Sequence, residues 1–204
     1  MNKTAAVRAV IEATSAEPII FTTGYSSRIA KHLANRPNHF YMTGSMGLAA
    51  SIGTGIALSS GRRVVVVDGD GALAMNPGCL ITAGAFVHLP LFHLVLDDGQ
   101  YESTGGQEVP SRRVNFTGLA EAAGYSDVWH VDDLNKFREL LHSELPGCAT
   151  PTFVHCELTE RDEPGPPPRI EADLSQHQLG FSGHLASCRD RPTTPRQPID
   201  DSAT

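Results

Sequence analysis

The chain has 204 residues, of which 40% are hydrophobic and 19% charged, the balance of a soluble globular domain rather than of a disordered segment. A formal net charge of -7 supplies no basic surface for a nucleic-acid backbone, and no apolar run approaches the roughly 20 residues that span a bilayer.

Residues 1–17 mix Lys3, Arg8, Glu12 and Glu17 with short apolar stretches. This predicts an amphipathic helix and lacks the apolar centre of a signal peptide. Short strand-like runs follow at 18–23, 40–43, 63–68, 91–97, 127–131 and 152–158, with helical patterns between them at 26–35, 46–60, 77–87, 115–123 and 134–145. Continuous apolar strands separated by helices imply a parallel sheet covered on both faces. The fold class is therefore α/β: a doubly wound, mostly parallel sheet with helices on both faces. The pattern at 46–60 is small-sided, with Gly47, Gly53 and Gly55 among its residues, and glycine inside a helix calls for close backbone packing to offset its entropic cost. At 163–168 the string Glu-Pro-Gly-Pro-Pro-Pro can continue neither a helix nor a central strand. Residues 1–160 read as one domain and 161–204 as a Pro-rich disordered tail with one short helix near 174–179. The four cysteines, Cys79, Cys148, Cys156 and Cys188, show no CxxC spacing and read as reduced structural thiols of a cytoplasmic protein.

Ligands of an open parallel sheet bind beyond the carboxyl ends of its strands. Four consecutive strands end in polar, glycine-bearing turns: Thr23-Gly24-Tyr25-Ser26-Ser27, Gly44-Ser45-Met46-Gly47, Gly69-Asp70-Gly71-Ala72 and Asp98-Gly99-Gln100-Tyr101. One helix and one strand separate Asp70 from Asp98, so a parallel crossover can bring both to neighbouring strand ends. There they can share a hard cation such as Mg²⁺, which takes a few carboxylates together with phosphate oxygens. Gly69 and Gly71 permit close backbone approach, and Ala72 opens a helix whose N–H groups suit a diphosphate. Two unrelated turns with exposed aspartates fit the same spacing. No GxGxxG and no GxxxxGK[ST] follows any strand, which argues against Rossmann and P-loop nucleotide binding.

GDG at 69–71 followed by Asp97-Asp98 after an apolar strand resembles the thiamine-diphosphate fingerprint, whose final pair is usually Asn-Asn or Asp-Asn. The strings LVLDDGQYESTGGQ, TTGYSSR and MTGSMGLAASIGTGIAL are similar to phosphonopyruvate decarboxylases and, next, to sulfopyruvate decarboxylase β subunits. The likeness is close over 21–107 and extends by pattern to residue 158. It implies a thiamine-diphosphate-binding fold of the diphosphate-binding (PP) type, with thiamine diphosphate and Mg²⁺ as cofactors. Asp70, Asp98 and the backbone carbonyl of Gln100 would hold the metal. Gly24, Ser26, Gly71 and Ala72 would line the diphosphate, with Ser45, Gly69 and Tyr101 as further cofactor contacts. Gly44 and Met46 would carry the catalytic roles: the Gly44 carbonyl accepts a hydrogen bond from the pyrimidine 4′-amino group, and Met46 supports the bent cofactor.

The resemblance further implies a carboxy-lyase acting on a small anionic 2-oxo acid, first phosphonopyruvate, giving phosphonoacetaldehyde and CO₂ in phosphonate biosynthesis, and second sulfopyruvate. Single-chain members carry a second, pyrimidine-binding domain whose glutamate activates the cofactor; residues 1–17 have room for one helix only. The glutamate is thus expected from a pyrimidine-domain α subunit, which makes the active form a hetero-oligomer. A non-catalytic assembly subunit is the alternative from another class, opposed by intact Asp70, Asp98 and Met46. Glu102, Ser103 and Thr104, with Gln107, follow the metal turn and are candidates for substrate contact or plain loop residues. His93, His130 and His155 read as core histidines. His177 and His184 have no partners at metal-ligand spacing. Arg28 suits either an anionic substrate or a subunit salt bridge.

Overall fold

The computed structural model describes residues 1–163, 165–171 and 173–187. Along them the chain runs α1 (Lys3–Ala13), β1 (Ile19–Phe21), α2 (Tyr25–Leu33), β2 (His39–Tyr41), α3 (Ala49–Ser60), β3 (Val64–Gly69), α4 (Asp70–Met75), α5 (Gly78–Gly84) and β4 (Leu91–Asp97). A small hairpin, β5 (Gln100–Tyr101) and β6 (Gln107–Glu108), precedes α6 (Phe116–Ala123), β7 (Asp127–Val131), α7 (Leu134–Glu144), β8 (Thr152–Glu157) and α8 (Leu174–Ser187). All six long strands lie in one parallel sheet, ordered β2-β1-β3-β4-β8-β7. The doubly wound expectation holds.

Alternation along the strands builds two cores. Val65 and Val67 of β3, with Phe92, Leu94 and Leu96 of β4, face α1, α2 and α7. Val64 and Val66, with Leu91 and Val95, face α3, α5 and α6 on the other side. Both faces of the central strands are buried, which is why these runs read as uninterrupted apolar sequence. On the second face α3 lies so close to the sheet that a Cβ at Gly53 would overlap Val66. The glycines of this helix thus trade helix propensity for close approach. The winding reverses between β1 and β3, since β1 leads outward to β2 and β3 leads the other way to β4. That switch point opens a crevice at the carboxyl ends of the strands.

Around the crevice the local structure differs from the sequence reading. The helix expected from 46 begins at Ala49, because Ser45 (φ 56) and Gly47 (φ 92) adopt left-handed conformations that a helix excludes. Residues 70–75 form their own helix, so Asp70 rather than Ala72 opens it. The β5–β6 hairpin is too short to leave a periodic signal.

The short helix expected near 174–179 is present, but it is longer than expected, and the disordered reading is corrected over 174–187. There α8 has 14 residues and docks on the edge strand β2. Asp173 caps it, accepting from Ser175 N and Gln176 N at 3.0 and 3.2 Å. Phe181 is buried against Phe40, with ring centroids 5.2 Å apart. His177 stacks on Phe40 and Tyr41, and its Nε2 accepts from the otherwise free edge N–H of Tyr41 at 3.1 Å. Composition hid the length and docking of this helix because few apolar residues carry the contact. The rest of the expected tail, 188–204, lies outside the described residues.

This docking makes a prediction. Phe181→Ala costs about 3 kcal/mol of docking, read as faster amide exchange across α8 while the sheet stays protected. Acidification acts the same way. Burial and Lys31 depress the His177 pKa below its usual 6.5, and a protonated ring cannot accept from Tyr41. A depressed histidine contributes stability that is complete above about 6.5 and lost as pH falls through the folded value. Equal protection of α8 at pH 7.5 and pH 5, each corrected for the intrinsic exchange rate at that pH, contradicts this.

Candidate functional site

The crevice at the switch point is walled by the turns after β1, β2, β3 and β4. Ser26, Met46, Gly69, Asp70, Gly71, Ala72, Asp98, Gln100, Tyr101, Glu102 and Ser103 all line it. Most of the residues expected from the sequence are thereby brought together. Gly24 lies just behind, where a Cβ would come within 2.9 Å of Ser103 Oγ. Gly44 and Ser45 stand exposed at the rim, outside the lining, with nothing within 4 Å of where a Gly44 Cβ would point. Thr104 is exposed and turned into its own loop, with its hydroxyl 3.2 Å from Tyr101 O and from Gln107 Oε1.

Local contacts explain how each turn is held. Ser27 Oγ donates to Thr22 O at 2.6 Å and lies 3.0 Å from Met42 O. It ties the end of β1 to the end of β2 and leaves its neighbour Ser26 facing the crevice. Asn76 Nδ2 donates to Gly47 O at 2.9 Å, which buttresses the Met46 turn against α4. The ring of Tyr101 lies over Gly71, where any Cβ would overlap it. A side chain at position 71 would have to displace that ring.

The aspartates divide into two kinds. Asp97 is a brace: its Oδ1 accepts from Ser111 Oγ at 2.9 Å and Gly99 N at 3.0 Å, and His155 in its Nε2–H tautomer donates to Oδ2 at 2.8 Å. Burial alone would raise its pKa, but His155 and Ser111 outweigh burial and hold the carboxyl below its usual range. Asp70 and Asp98 instead face the crevice, Asp98 with its Oδ2 held by Lys3 Nζ at 2.6 Å. Asp70 Oδ2 accepts from Gly99 N at 3.1 Å, and Asp98 Oδ1 accepts from Gln100 N at 3.1 Å. Burial, then Asp97 and Asp98, push Asp70 up to about 7, and a cation at this carboxyl would oppose that shift. Among the described residues no group of three His, Cys, Asp or Glu side chains is arranged to hold a metal. The turn offers two carboxylates and a carbonyl instead, a set that suits Mg²⁺ when phosphate oxygens complete the shell.

Three lining residues were absent from the expected site: Lys3, Thr22 and Leu96. Thr22 is buried and its Oγ1 has no hydrogen-bond partner, a donor left over for a ligand. Lys3 Nζ lies 2.6 Å from both Asp98 Oδ2 and Glu102 Oε2. Burial lowers the pKa of this ammonium, but Asp98 and Glu102 together raise it above the usual lysine value. Thr23 and Tyr25, part of the flagged first turn, also line the crevice. Arg28, read as a substrate or subunit contact, stacks on Tyr25 at 5.2 Å. His93 is fully buried, 3.1 Å from Tyr125 Oη, as a core histidine would be. His155 does more than fill the core, since it fixes Asp97.

Comparison with known proteins fits this geometry. Residues 22–156 match the family described as thiamine pyrophosphate enzyme, C-terminal TPP binding domain. The chain is 44% identical over 140 residues to a phosphonopyruvate decarboxylase of Streptomyces viridochromogenes, covering 69% of this chain and 35% of that one. It is 42% identical over 130 residues to the sulfopyruvate decarboxylase subunit beta of Methanothermobacter thermautotrophicus, covering 64% and 70%. A solved structure described as a thiamin diphosphate-dependent enzyme, isolated from Mycobacterium smegmatis, matches with a TM-score of 0.65 at 19% identity, over 77% of this chain and 32% of that one. At that identity it bears on the fold alone. The chain spans little more than a third of the length of the Streptomyces decarboxylases it matches (35% and 37%). On the strength of the match over 22–156, the chain belongs to the thiamine pyrophosphate enzymes, as a bearer of their C-terminal cofactor-binding domain.

Proposed function

We propose that this chain is the diphosphate-binding component of a thiamine-diphosphate- and Mg²⁺-dependent decarboxylase of a 3-substituted pyruvate, active with a pyrimidine-domain partner. One observation carries the reading: Asp70 at the end of β3 and Asp98 at the end of β4 meet in one crevice, each bonded to the same Gly99–Gln100 backbone. Asp70, Asp98 and the Gln100 carbonyl would hold Mg²⁺. The unpartnered Thr22 hydroxyl, Ser26 and the first-turn N–H groups of Gly71 and Ala72 are available to the diphosphate. The open rim at Gly44 leaves its carbonyl free for the 4′-amino group, and half-exposed Met46 supplies an unbranched apolar surface for the rings. When bound, the cofactor would supply the electron sink that makes loss of CO₂ from a 2-oxo acid feasible. The protein would hold and orient it.

The substrate ranking rests on the relatives. The 44% identity to the Streptomyces viridochromogenes protein, against 42% to the sulfopyruvate decarboxylase subunit beta, favours phosphonopyruvate, the acid named for the former. The length match favours the second reading, a sulfopyruvate decarboxylase β subunit, because the chain covers 70% of such a subunit. Both agree on a 2-oxo acid with an anionic 3-substituent. Co-expression with a pyrimidine-domain partner, followed by assays on the two acids, tests the reading. The expected result is CO₂ release from phosphonopyruvate exceeding that from sulfopyruvate. Inversion of that order makes the second reading correct, and turnover of neither rejects both.

A further inference from the structure

We propose that Lys3 is a built-in counter-cation of the candidate metal seat, and that a divalent cation enters by displacing its ammonium from Asp98. The proposal rests on Asp70 and Asp98 being the cation ligands.

The acidic turn carries Asp70, Asp97 and Asp98 within a few residues of one another in space, with Glu102 beside them. Asp97 has its own partners in Ser111 and His155. Asp98 has Lys3, which reaches it from 95 positions away in sequence. The pair is nearly enclosed, with side-chain exposures of 11% and 10%. A carboxylate so enclosed needs a counter-ion, whereas an amide at position 98 would coordinate through its oxygen and need none. Aspartate and lysine together make a neutral pair where a neutral side chain alone would serve.

Lys3 is also held in place. It opens α1, whose N-terminus is capped by Asn2, with the side chain accepting from Ala5 N at 2.8 Å. Ala6, Val7 and Val10 of the same helix are buried in the core, and Thr4 N donates to Asp162 Oδ1 at 3.1 Å. The ammonium therefore arrives at Asp98 by the packing of the fold rather than by the chance lie of a surface chain. A metal ion on Asp98 would stand against this charge, and like charges at contact distance are strongly unfavourable. A fallback position exists: Nζ already touches Glu102 Oε2 at 2.6 Å and lies 5.9 Å from the Tyr25 ring centroid. Displacement toward Glu102 and the ring face leaves Asp98 free while the ammonium keeps a partner.

The sign of the effect separates this role from a structural one. A lysine that only shapes the turn weakens metal binding when removed; a competitor strengthens it. Mn²⁺ titrated alone into the full chain, followed by its electron paramagnetic resonance signal, reads this without cofactor or turnover. Lys3→Met is expected to bind Mn²⁺ about tenfold more tightly than the parent, about 1.4 kcal/mol. Lys3→Gln, which keeps hydrogen-bond donors for both carboxylates and guards against misfolding, is expected to move in the same direction. In an Asp98→Asn background the same lysine substitutions are expected to change affinity little. Equal or weaker binding by both lysine variants overturns the proposal, as does equal tightening in the Asp98→Asn background. Adding Asp70→Ala to Lys3→Met tests the seat itself. Loss of Mn²⁺ binding there supports it, and unchanged binding removes the seat and the proposal together.

Discussion

Asp70→Ala is expected to abolish Mg²⁺-dependent binding of thiamine diphosphate by the assembled enzyme, lowering affinity by more than about 100-fold. Loss of a residue that merely orients a metal ligand already costs 10–100-fold, and Asp70 is proposed as a ligand. Misfolding is not the expected cause. Asp70 is buried beside Asp97 and Asp98, and its pKa is pushed up to about 7 by burial and then by those neighbours. A carboxyl raised in the folded state costs stability as pH climbs from its unfolded value of 3.8 toward 7. Alanine removes that cost together with one hydrogen bond from Gly99, so at pH 8 the metal-free variant should melt no lower than its parent. Calorimetric titration of cofactor with Mg²⁺ present, alongside a thermal melt, checks both halves. Unchanged cofactor affinity in the variant defeats the assignment of Asp70.

The purified chain, free of any partner, is expected to show no measurable decarboxylation at saturating cofactor and Mg²⁺. In the proposed reading the four strand-end turns supply groups for metal, diphosphate and the pyrimidine amino group. None of the carboxylates described around the crevice is left for the pyrimidine N1′: Asp70 and Asp98 are assigned to metal, Asp97 is engaged by Ser111 and His155, and Glu102 by Lys3. Positioned acid–base help of that kind is worth roughly 10²–10⁴-fold in rate. The exposed rim at Gly44 and Ser45 also leaves one side of the crevice open, so affinity and turnover should fall together. Adding a pyrimidine-domain partner should restore activity, and replacing that partner's glutamate by Gln should remove most of the gain. Turnover by the chain alone refutes the two-component reading.

Much of this was legible in the sequence because the relevant signals are local. The valine run at 64–67 is apolar throughout, as a strand covered on both faces must be, and Gly69-Asp70-Gly71 follows it directly. Asp98 stands at the end of the next apolar run for the same reason. Contacts that depend on tertiary closure were not legible. Lys3 lies 95 positions from Asp98, and no spacing rule connects an N-terminal helix to a strand end. The only trace was the aspartate itself, whose extra charge required a partner somewhere. His155 looked like any histidine in a strand, because its bond to Asp97 follows from β4 and β8 being neighbours. Of α8 only a short helix near 174–179 was legible, and its full length and docking were not, because Phe181 and His177 bury little apolar area and are set in polar sequence.

In the proposed reading the switch-point crevice takes thiamine diphosphate through a divalent cation held by Asp70 and Asp98. Calorimetric titration of thiamine diphosphate into the chain co-purified with its partner, first in Mg²⁺ and then in EDTA, tests it most directly. The predicted result is saturable binding of one cofactor per chain in Mg²⁺, lost in EDTA and recovered when Mg²⁺ is returned. Binding of equal strength in EDTA, or no binding in either condition, contradicts the account.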